Sequence, residues 1–257
     1  MQFYKYQGTG NDFVVLDDRA KTFDLNQEAI ALLCHRRFGI GADGFMLLQE
    51  EDGYDFRMVY YNSDGTPGTM CGNGGRCLVR FASDLGIVKD KAHFVAVDGP
   101  HLAYINPETI SLQMMDVPGI EQHNDDYFTN TGSPHFVRFT KQVQFYDVKN
   151  IGASIRYSEA YQPINGTNAN FVEKLDDQTL FVRTYERGVE DETYSCGTGV
   201  TAAALVAKTF QNVQTPVKIK TLGGELAVDF DGDAITGFTN IFLKGPAKQV
   251  FTGTISV

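Results

Sequence analysis

The chain has 257 residues, of which 42% are hydrophobic, and it carries a formal net charge of −10 at pH 7. This length fits one large domain or two small ones, and the negative charge, without any cluster of lysine and arginine, argues against nucleic acid and anionic membranes as partners. No apolar run approaches the length of a transmembrane helix, and the N-terminal residues do not look like a signal peptide. We therefore expect a cytoplasmic protein.

The first half of the chain predicts strands and one early helix. Strands are predicted at 12–18 and 56–62, where apolar residues lead into turn residues. Between them, residues 24–39 predict a helix with Asp24 as its N-cap and Gly39 at its end. The mixture of strands and helices indicates an α+β fold.

Two further helices are predicted from apolar residues at helical spacing. The first follows Asn73 and stops at Gly86, and the second spans 200–210. Each is preceded by a Cys-Gly-x-Gly sequence, which begins at Cys71 in the first case and at Cys196 in the second.

These two cysteine sequences belong to an internal repeat. Four pairs of landmarks recur in order, at offsets of 122, 124, 125 and 125 residues: Gly10 with Gly132, Tyr61 with Tyr185, Cys71 with Cys196, and Gly99 with Gly224. A nearly constant offset indicates a duplicated unit of about half the chain. We therefore predict two similar domains, 1–115 and 116–245, and a tail, 246–257, that returns to one of them, with the N-terminal domain as the expected one.

The four cysteines are expected to be reduced thiols. Cys34 and Cys77 lie on the apolar sides of predicted helices and are interpreted as core residues. Cys71 and Cys77 lack the usual spacing of zinc ligands, and no histidine pair lies near Cys196, so no metal site is predicted.

Cys71 and Cys196 are the candidates for chemistry. A helix N-terminus attracts a small anion such as a carboxylate, and its field lowers the pKa of a cysteine there. If the two halves face each other, one thiol lies on each side of the bound molecule. One thiolate can then remove a hydrogen next to the carboxylate while the other thiol returns one to the opposite face, which inverts the stereocentre. A single cysteine before a helix is usually a small buried residue, but two at repeat-equivalent positions are hard to explain in that way.

The sequence resembles the diaminopimelate epimerase family along its whole length. The resemblance is carried by "GTGNDFVVLD", "GIGADG", "YNSDG", "MCGNGGRC", "GSPHFV", "TNANF", "YERGVEDET" and "CGTGVTAAA". It implies two pseudo-symmetric domains, each a β-barrel-like sheet around a central helix, with the active site in the cleft between them. It also implies a homodimeric isomerase that interconverts LL- and meso-diaminopimelate, in lysine and peptidoglycan precursor synthesis, without pyridoxal phosphate, metal or any other cofactor.

The same resemblance implies roles for individual residues. Cys71 and Cys196 match the catalytic cysteines, and His135 and Glu186 match residues that tune the pKa values of the cysteines. The positions that match substrate-binding residues are Asn11, Asn62, Gly72, Asn73, Ser133, Asn168, Glu186, Arg187, Gly197 and Thr198. Ser133 stands where an asparagine is often found, and Gly44 stands where some members carry a glutamine that contacts substrate. These two departures put recognition of the far end of the substrate in question.

Other readings stay open at this point. Related proteins include racemases and epimerases of proline and hydroxyproline, a hydroxyproline dehydratase and an isomerase of phenazine synthesis. The dehydratase replaces one of the two cysteines, and the hydroxyproline enzymes usually carry histidine where Asn73 stands. A racemase of another amino acid is therefore the main alternative. A non-catalytic amino-acid-binding protein is a further one, although binding alone requires neither thiol.

Overall fold

The computed structural model describes residues 1–256 and divides the chain into two compact units. The first unit consists of Met1–Leu112 together with the C-terminal segment that begins at Gly245, and the second consists of Gln113–Lys244. Val257, the last residue of the predicted tail, lies outside the described residues. Among residues 1–256, none of the helices combines the length and apolar character needed to cross a membrane.

The first unit is a mixed sheet with one helix against each face. Its elements in chain order are β1 (Gln2–Gly8), β2 (Asn11–Asp17), α1 (Gln27–Cys34), β3 (Gly44–Gln49), β4 (Phe56–Asn62), α2 (Gly72–Asp84), β5 (Lys91–Ala96), β6 (Gly99–Ile105) and β7 (Ile110–Gln113). β2 pairs in parallel with β3, and β4 with β5, whereas β1–β2, β3–β4, β5–β6 and β6–β7 are antiparallel. β2 and β4 lie within one residue of the predicted strands.

The second unit repeats this order of strand directions. Its elements are β8 (Glu121–His123), β9 (Asp126–Asn130), β10 (Pro134–Phe139), α3 (Val148–Arg156), β11 (Asn168–Lys174), β12 (Thr179–Glu186), β13 (Asp191–Thr193), α4 (Gly197–Phe210), β14 (Val217–Thr221), β15 (Gly224–Asp233) and β16 (Gly237–Gly245). β10–β11 and β12–β14 are parallel, and β9–β10, β11–β12, β14–β15 and β15–β16 are antiparallel. The predicted duplication is thus confirmed at the level of topology. The final strand, β17 (Lys248–Thr254), pairs with β1 of the first unit.

The landmark glycines of the repeat have matching backbones. Gly10 and Gly132 both follow a strand with positive φ values, 85° and 103°. Gly99 and Gly224 begin β6 and β15 with φ values of 120° and 140°. These conformations are disfavoured for residues with a Cβ, which explains why glycine recurs at both positions of each pair.

Each unit is built around one buried helix. In α4, every residue from Val200 to Ala207 is buried, and the helix contacts β9, β10, β11, β12, β14 and β15. A helix that is buried on all sides is the centre of a core rather than a cover. Helix α2 has the same position among β1, β2, β3 and β6. Helices α1 and α3 pack instead against the other face of the sheet in their own unit.

The predicted helix 24–39 is wrong at both ends. The helix covers only Gln27–Cys34, and its N-cap is Asn26, whose side chain accepts a hydrogen bond from the backbone N–H of Ala29 at 2.9 Å. Asp24 lies outside it. Asparagine is as good an N-cap as aspartate, and the helix begins two residues later than predicted because Asn26 takes this role.

Candidate active site

The strands of the second unit place polar side chains beside the beginning of α4. Side chains on a strand alternate between the two faces of a sheet. The positions on the α4 side are His135 and Val137 of β10, Asn168, Asn170 and Val172 of β11, and Leu180, Val182, Thr184 and Glu186 of β12. The valines and leucine pack into the core around α4, whereas the polar members cluster at the end where the helix begins.

Cys196 is the N-cap of α4 and is 7% exposed. Its Sγ lies 3.4 Å from Oγ1 of Thr198, and that hydroxyl lies 2.9 Å from Nε2 of His135. His135 is completely buried. Burial, with a smaller contribution from the charge of Arg187, lowers the pKa of His135 to about 3. The ring is therefore neutral at neutral pH, and the hydroxyl group of Thr198 links it to Sγ of Cys196.

Three of the predicted substrate-binding residues lie together in the second unit. Nδ2 of Asn168 donates to Oγ of Ser133 at 2.9 Å, and Oδ1 of Asn168 accepts from the backbone N–H of Arg187 at 2.8 Å. Within residues 1–256, the guanidinium of Arg187 makes long contacts of 3.3–3.4 Å to Oγ of Ser133 and to the carbonyls of Ile164 and Gly166. These long contacts leave the planar group able to bind a carboxylate more closely.

Glu186 ends β12 on the side of α4. Its Oε2 accepts a hydrogen bond from Oγ1 of Thr193 at 2.9 Å, which holds the carboxylate in place. It is half-buried, as is the adjacent Arg187.

Cys71 is the N-cap of α2 in the first unit. Its Sγ accepts from the backbone N–H of Gly74 at 3.5 Å and donates to Oδ1 of Asn11 at 3.6 Å. The same Oδ1 accepts from Nδ2 of Asn73 at 3.4 Å. The first unit thus brings together Cys71, Asn11 and Asn73, as the sequence led us to expect of site residues.

A charged network holds the Asn11 amide in one orientation. Its Nδ2 donates to Asp43 at 2.9 Å, and Arg36 bonds to both Asp43 and Asp12 at 2.7 Å. Lys5 lies 2.7 Å from Asp12. Burial alone would raise the pKa of Asp12, but the hydrogen bonds from Arg36 and Lys5 lower it to about 2. The carboxylate of Asp43 can accept hydrogen bonds but cannot donate them, so the amide nitrogen of Asn11 must face Asp43. The amide oxygen of Asn11 must then face the thiol of Cys71.

Arg76 is a completely buried cation beside Cys71, and the sequence analysis missed it. Its guanidinium donates to Oδ1 of Asn73 at 3.0 Å and to Oγ1 of Thr9 at 3.3 Å. Burial lowers the pKa of Arg76, while Cys77 and Cys71 favour its charged form. By reciprocity, the positive charge favours thiolate at Cys71. The sequence did not single it out, because Asn73 and Arg80, one turn before and after it, make that side of the helix look polar.

Gly72 and Gly197 are the first residues of α2 and α4, and Asn73 and Thr198 are the second. The first backbone N–H groups of an α-helix have no intrahelical acceptor. Each helix therefore presents donors that suit a carboxylate, next to a cysteine at the N-cap.

Asn62 lies at the exposed end of β4, where its Nδ2 donates to Oγ1 of Thr66 at 3.1 Å. Gly44 is directly opposite it on β3. A Cβ at Gly44 would lie only 2.5 Å from Cε2 of Tyr60, and one at Gly68 would overlap the same ring. The aromatic ring of Tyr60 thus fills the space that a side chain at Gly44 would need, which explains this departure from the family pattern.

The other two cysteines are core residues, as predicted. Cys34 and Cys77 are both buried. Burial raises the pKa of the Cys34 thiol to about 11 and raises that of Cys77 further. Neither thiol ionises near neutral pH. In the part of the chain that the structure describes, no three histidine, cysteine or acidic side chains come together as a possible metal site.

Comparison with known proteins places the chain among similar sequences of full length. The profile of the diaminopimelate epimerase family matches residues 3–117 and 127–250. A diaminopimelate epimerase from Flavobacterium psychrophilum is 53% identical over 258 residues, which cover 99% of this chain and 100% of that protein. The diaminopimelate epimerase from Chlorobaculum tepidum is 41% identical, with 97% and 99% covered. Among solved structures, a phenazine biosynthesis protein of the PhzF family from Bacillus anthracis has the same fold, with a TM-score of 0.77 at 13% identity and coverage of 100% and 99%.

Proposed function

Because the chain belongs to the diaminopimelate epimerase family, we propose that it interconverts LL-diaminopimelate and meso-diaminopimelate in lysine and peptidoglycan precursor synthesis. The observation that carries this proposal is the repeated cysteine. Each unit has one cysteine at the N-cap of its central helix, with polar side chains around it. Two thiols at equivalent places suit a reaction that treats the two faces of one carbon alike.

In the proposed mechanism, Cys71 and Cys196 act on opposite faces of the α-carbon. The reacting carboxylate binds to the first backbone N–H groups of α2 and α4, at Gly72, Asn73, Gly197 and Thr198. These donors stabilise the negative charge that builds up as the C–H bond breaks. One thiolate takes the α-hydrogen as a proton, and the other thiol gives a proton to the opposite face. The two cysteines exchange roles in the reverse reaction.

The far end of the substrate is proposed to bind to Asn168, Ser133, Glu186 and Arg187. Diaminopimelate has an ammonium and a carboxylate there, which match the acceptor and the guanidinium. In the first unit, Asn11 and Asn62 are proposed to add hydrogen bonds. His135 and Glu186 are proposed to adjust the pKa values of the thiols, His135 through the hydroxyl group of Thr198.

The activity is proposed to need no cofactor and to be carried out in the cytoplasm by a homodimer of two-domain subunits, 1–115 and 116–245, with the tail on the N-terminal domain. The test is to incubate the purified protein with LL-diaminopimelate and to separate the stereoisomers. We expect meso-diaminopimelate without added pyridoxal phosphate and in the presence of a chelator, together with deuterium uptake at the α-carbon in D2O. Conversion of proline derivatives alone would favour the racemase alternative, and binding without exchange would favour a binding protein. Light scattering after gel filtration tests the dimer.

A further inference from the structure

A chain of hydrogen bonds leads from the sheet of the second unit to Cys196. Asn170 lies on β11, directly opposite Thr184 of β12, and both are buried. Oγ1 of Thr184 lies 2.9 Å from Oδ1 of Asn170, and Nδ2 of Asn170 lies 3.1 Å from Nδ1 of His135. The chain continues from Nε2 of His135 to Thr198 and ends at the sulfur.

The Asn170 amide can have only one orientation. Its Nδ2 also lies 2.8 Å from the backbone carbonyl of Phe136, which accepts hydrogen bonds and cannot donate them. A flipped amide would put two oxygens against each other there. Nδ2 therefore donates both of its hydrogens, one to Phe136 and one to Nδ1 of His135. The neutral ring of His135 must then carry its single hydrogen on Nε2.

Asn170 and His135 pack against the first turn of the helix that carries Cys196. A Cβ at Gly199, in the first turn of α4, would overlap Oδ1 of Asn170 and lie 3.3 Å from Cε1 of His135. The glycine lets the polar pair lie directly beneath the helix terminus. The pair is thus packed against the same turn that holds the thiol.

The first unit provides an internal comparison, because the fold does not require polar residues at these positions. The strand pairing of the two units makes Phe13 equivalent to His135, Met46 to Asn170 and Tyr60 to Thr184. Phe13 and Met46 are completely buried, and the rings of Phe13 and Tyr60 pack edge to face at 6.2 Å. A buried polar network is costly unless every member is satisfied, so its presence in one unit only indicates a specific role.

We propose that Asn170, oriented by the backbone carbonyl of Phe136, is a positioning residue that fixes His135 in its Nε2–H tautomer, so that a one-way series of donors ends at Cys196. The Nε2 hydrogen goes to Oγ1 of Thr198, and the hydroxyl hydrogen of Thr198 is then directed to the sulfur. A hydrogen bond donated to the sulfur stabilises the thiolate relative to the thiol. At Cys71, by contrast, the sulfur donates to the fixed oxygen of Asn11 and accepts from the backbone N–H of Gly74. The catalytic role of this series of donors rests on the proposed function, whereas the assignment of the His135 tautomer does not.

The side chains packed against His135 are mostly uncharged, so they add little pH dependence of their own to the experiment. Its neighbours on β9 and β11, Thr129 and Asn168, are uncharged, as are Thr198 and Gly199 on α4. The charged group that acts on the ring is Arg187. It stays protonated throughout the pH range of the experiment.

The test measures the tautomer and the ionisation of Cys196 without using a substrate. Heteronuclear NMR of the wild-type ring nitrogens should show the hydrogen of His135 on Nε2. Alkylation with iodoacetamide across a pH series, followed peptide by peptide with mass spectrometry, gives the apparent pKa of Cys196. We expect it to rise by about one pH unit in Asn170→Met, because the ring of His135 can then carry its hydrogen on Nδ1 and the series of donors to the thiolate is lost.

Matched controls separate this effect from a loss of structure. Thr184→Ser keeps the hydroxyl and should keep the wild-type profile. Thr209→Val removes a hydroxyl that bonds to the carbonyl of Leu205, in the last part of α4, and should also have no effect. Hydrogen on Nδ1 in the wild type, or an unchanged profile in the folded Asn170→Met variant, would overturn the proposal. Failure of the epimerase assay with these results intact would instead count against the proposed function.

Discussion

Arg187 is the residue on which the proposed recognition of the far end of the substrate depends most. Replacing it with lysine keeps the charge but removes the planar fork that binds a carboxylate through two hydrogen bonds. We expect Arg187→Lys to lower kcat/KM by one to two powers of ten, since a charge-assisted hydrogen bond contributes about 1.5–3 kcal/mol. kcat should fall as well, because binding at the far end helps to position the reacting carbon.

Steady-state kinetics with LL-diaminopimelate measure this effect, and circular dichroism confirms folding. Arg57→Lys is the matched control, because Arg57 pairs with Glu51 in a largely exposed salt bridge. It should leave kcat/KM unchanged. A folded Arg187→Lys enzyme with wild-type kinetics would show that Asn62, Asn168 and Ser133 suffice.

His135 connects the site to the stability of the protein in acid. Its pKa is lowered from 6.5 to about 3 in the folded state, so the unfolded chain binds the proton more tightly. Stability from the neutral ring is therefore complete above pH 6.5 and is lost progressively as the pH falls towards 3. We expect the unfolding free energy of the wild type to fall, relative to that of His135→Phe, by about 1.4 kcal/mol for each pH unit below 6.

Urea unfolding at several pH values measures the difference. Phenylalanine is a reasonable replacement because Phe13 occupies the equivalent position of the first unit. His123→Gln, at an exposed position, controls for the effect of replacing a histidine ring. Parallel curves for the wild type and His135→Phe would contradict a neutral, buried His135.

At the scale of single elements, the two central helices begin in the same way but tolerate different substitutions. A Cβ at Gly74 of α2 would meet Sδ of Met46 at 3.2 Å, and methionine can move aside. A Cβ at Gly199 of α4 would overlap Oδ1 of Asn170, whose hydrogen bonds fix its position. We expect Gly199→Ala to destabilise the protein by about 1–3 kcal/mol and Gly74→Ala by clearly less.

Thermal and urea unfolding of the two variants test this comparison, and each is the control for the other. Gly199→Ala should also raise the apparent pKa of Cys196, because it displaces the first turn of α4. Equal destabilisation by the two substitutions would show that the Asn170 network is as adaptable as the methionine.

The sequence was informative about elements with strong local signals. Apolar runs predicted β2 and β4 within one residue, and the cysteine-glycine sequences marked the starts of α2 and α4. The end of α1 was not predictable, because it is set by tertiary contacts. After Cys34 the chain folds back, so that a Cβ at Gly39 would collide with the carbonyl of Leu32. Gly39 therefore marks a close approach of two backbone segments and not the end of the helix.

Site residues were predictable where a repeat or a family motif marked them. The supporting residues were not, because they act through partners distant in sequence. Asp43 is 32 residues from Asn11, and Arg76 is 67 residues from Thr9. Asn170 had a weak signal, since it lies two residues after the candidate Asn168 and alternate residues of a strand share one face. Only the tertiary structure shows that Asn170 bonds to Nδ1 of His135.

At the scale of the whole molecule, duplication produced two units with one topology and different chemistry beneath the cysteine. The first unit uses a buried cation, Arg76, and a fixed amide, Asn11, next to Cys71. The second uses the neutral ring of His135, which acts through Thr198 on Cys196. The two thiols thus have different surroundings, and the proposed two-base mechanism needs one of them to begin as the base and the other as the acid.

Oxidation tests whether those two thiols work on one carbon. If they flank a single α-carbon as proposed, modest closure brings them within the distance of a disulfide. We expect mild oxidation to abolish activity, a reductant to restore it, and mass spectrometry of the inactive protein to find Cys71 linked to Cys196. Cys34 and Cys77 should remain reduced, because burial raises their thiol pKa values and removes the reactive thiolate. A Cys34→Ala, Cys77→Ala double variant should therefore be inactivated in the same way. A link between Cys71 and Cys77 would contradict the proposed arrangement, because it would show that the nearest partner of Cys71 lies within its own helix.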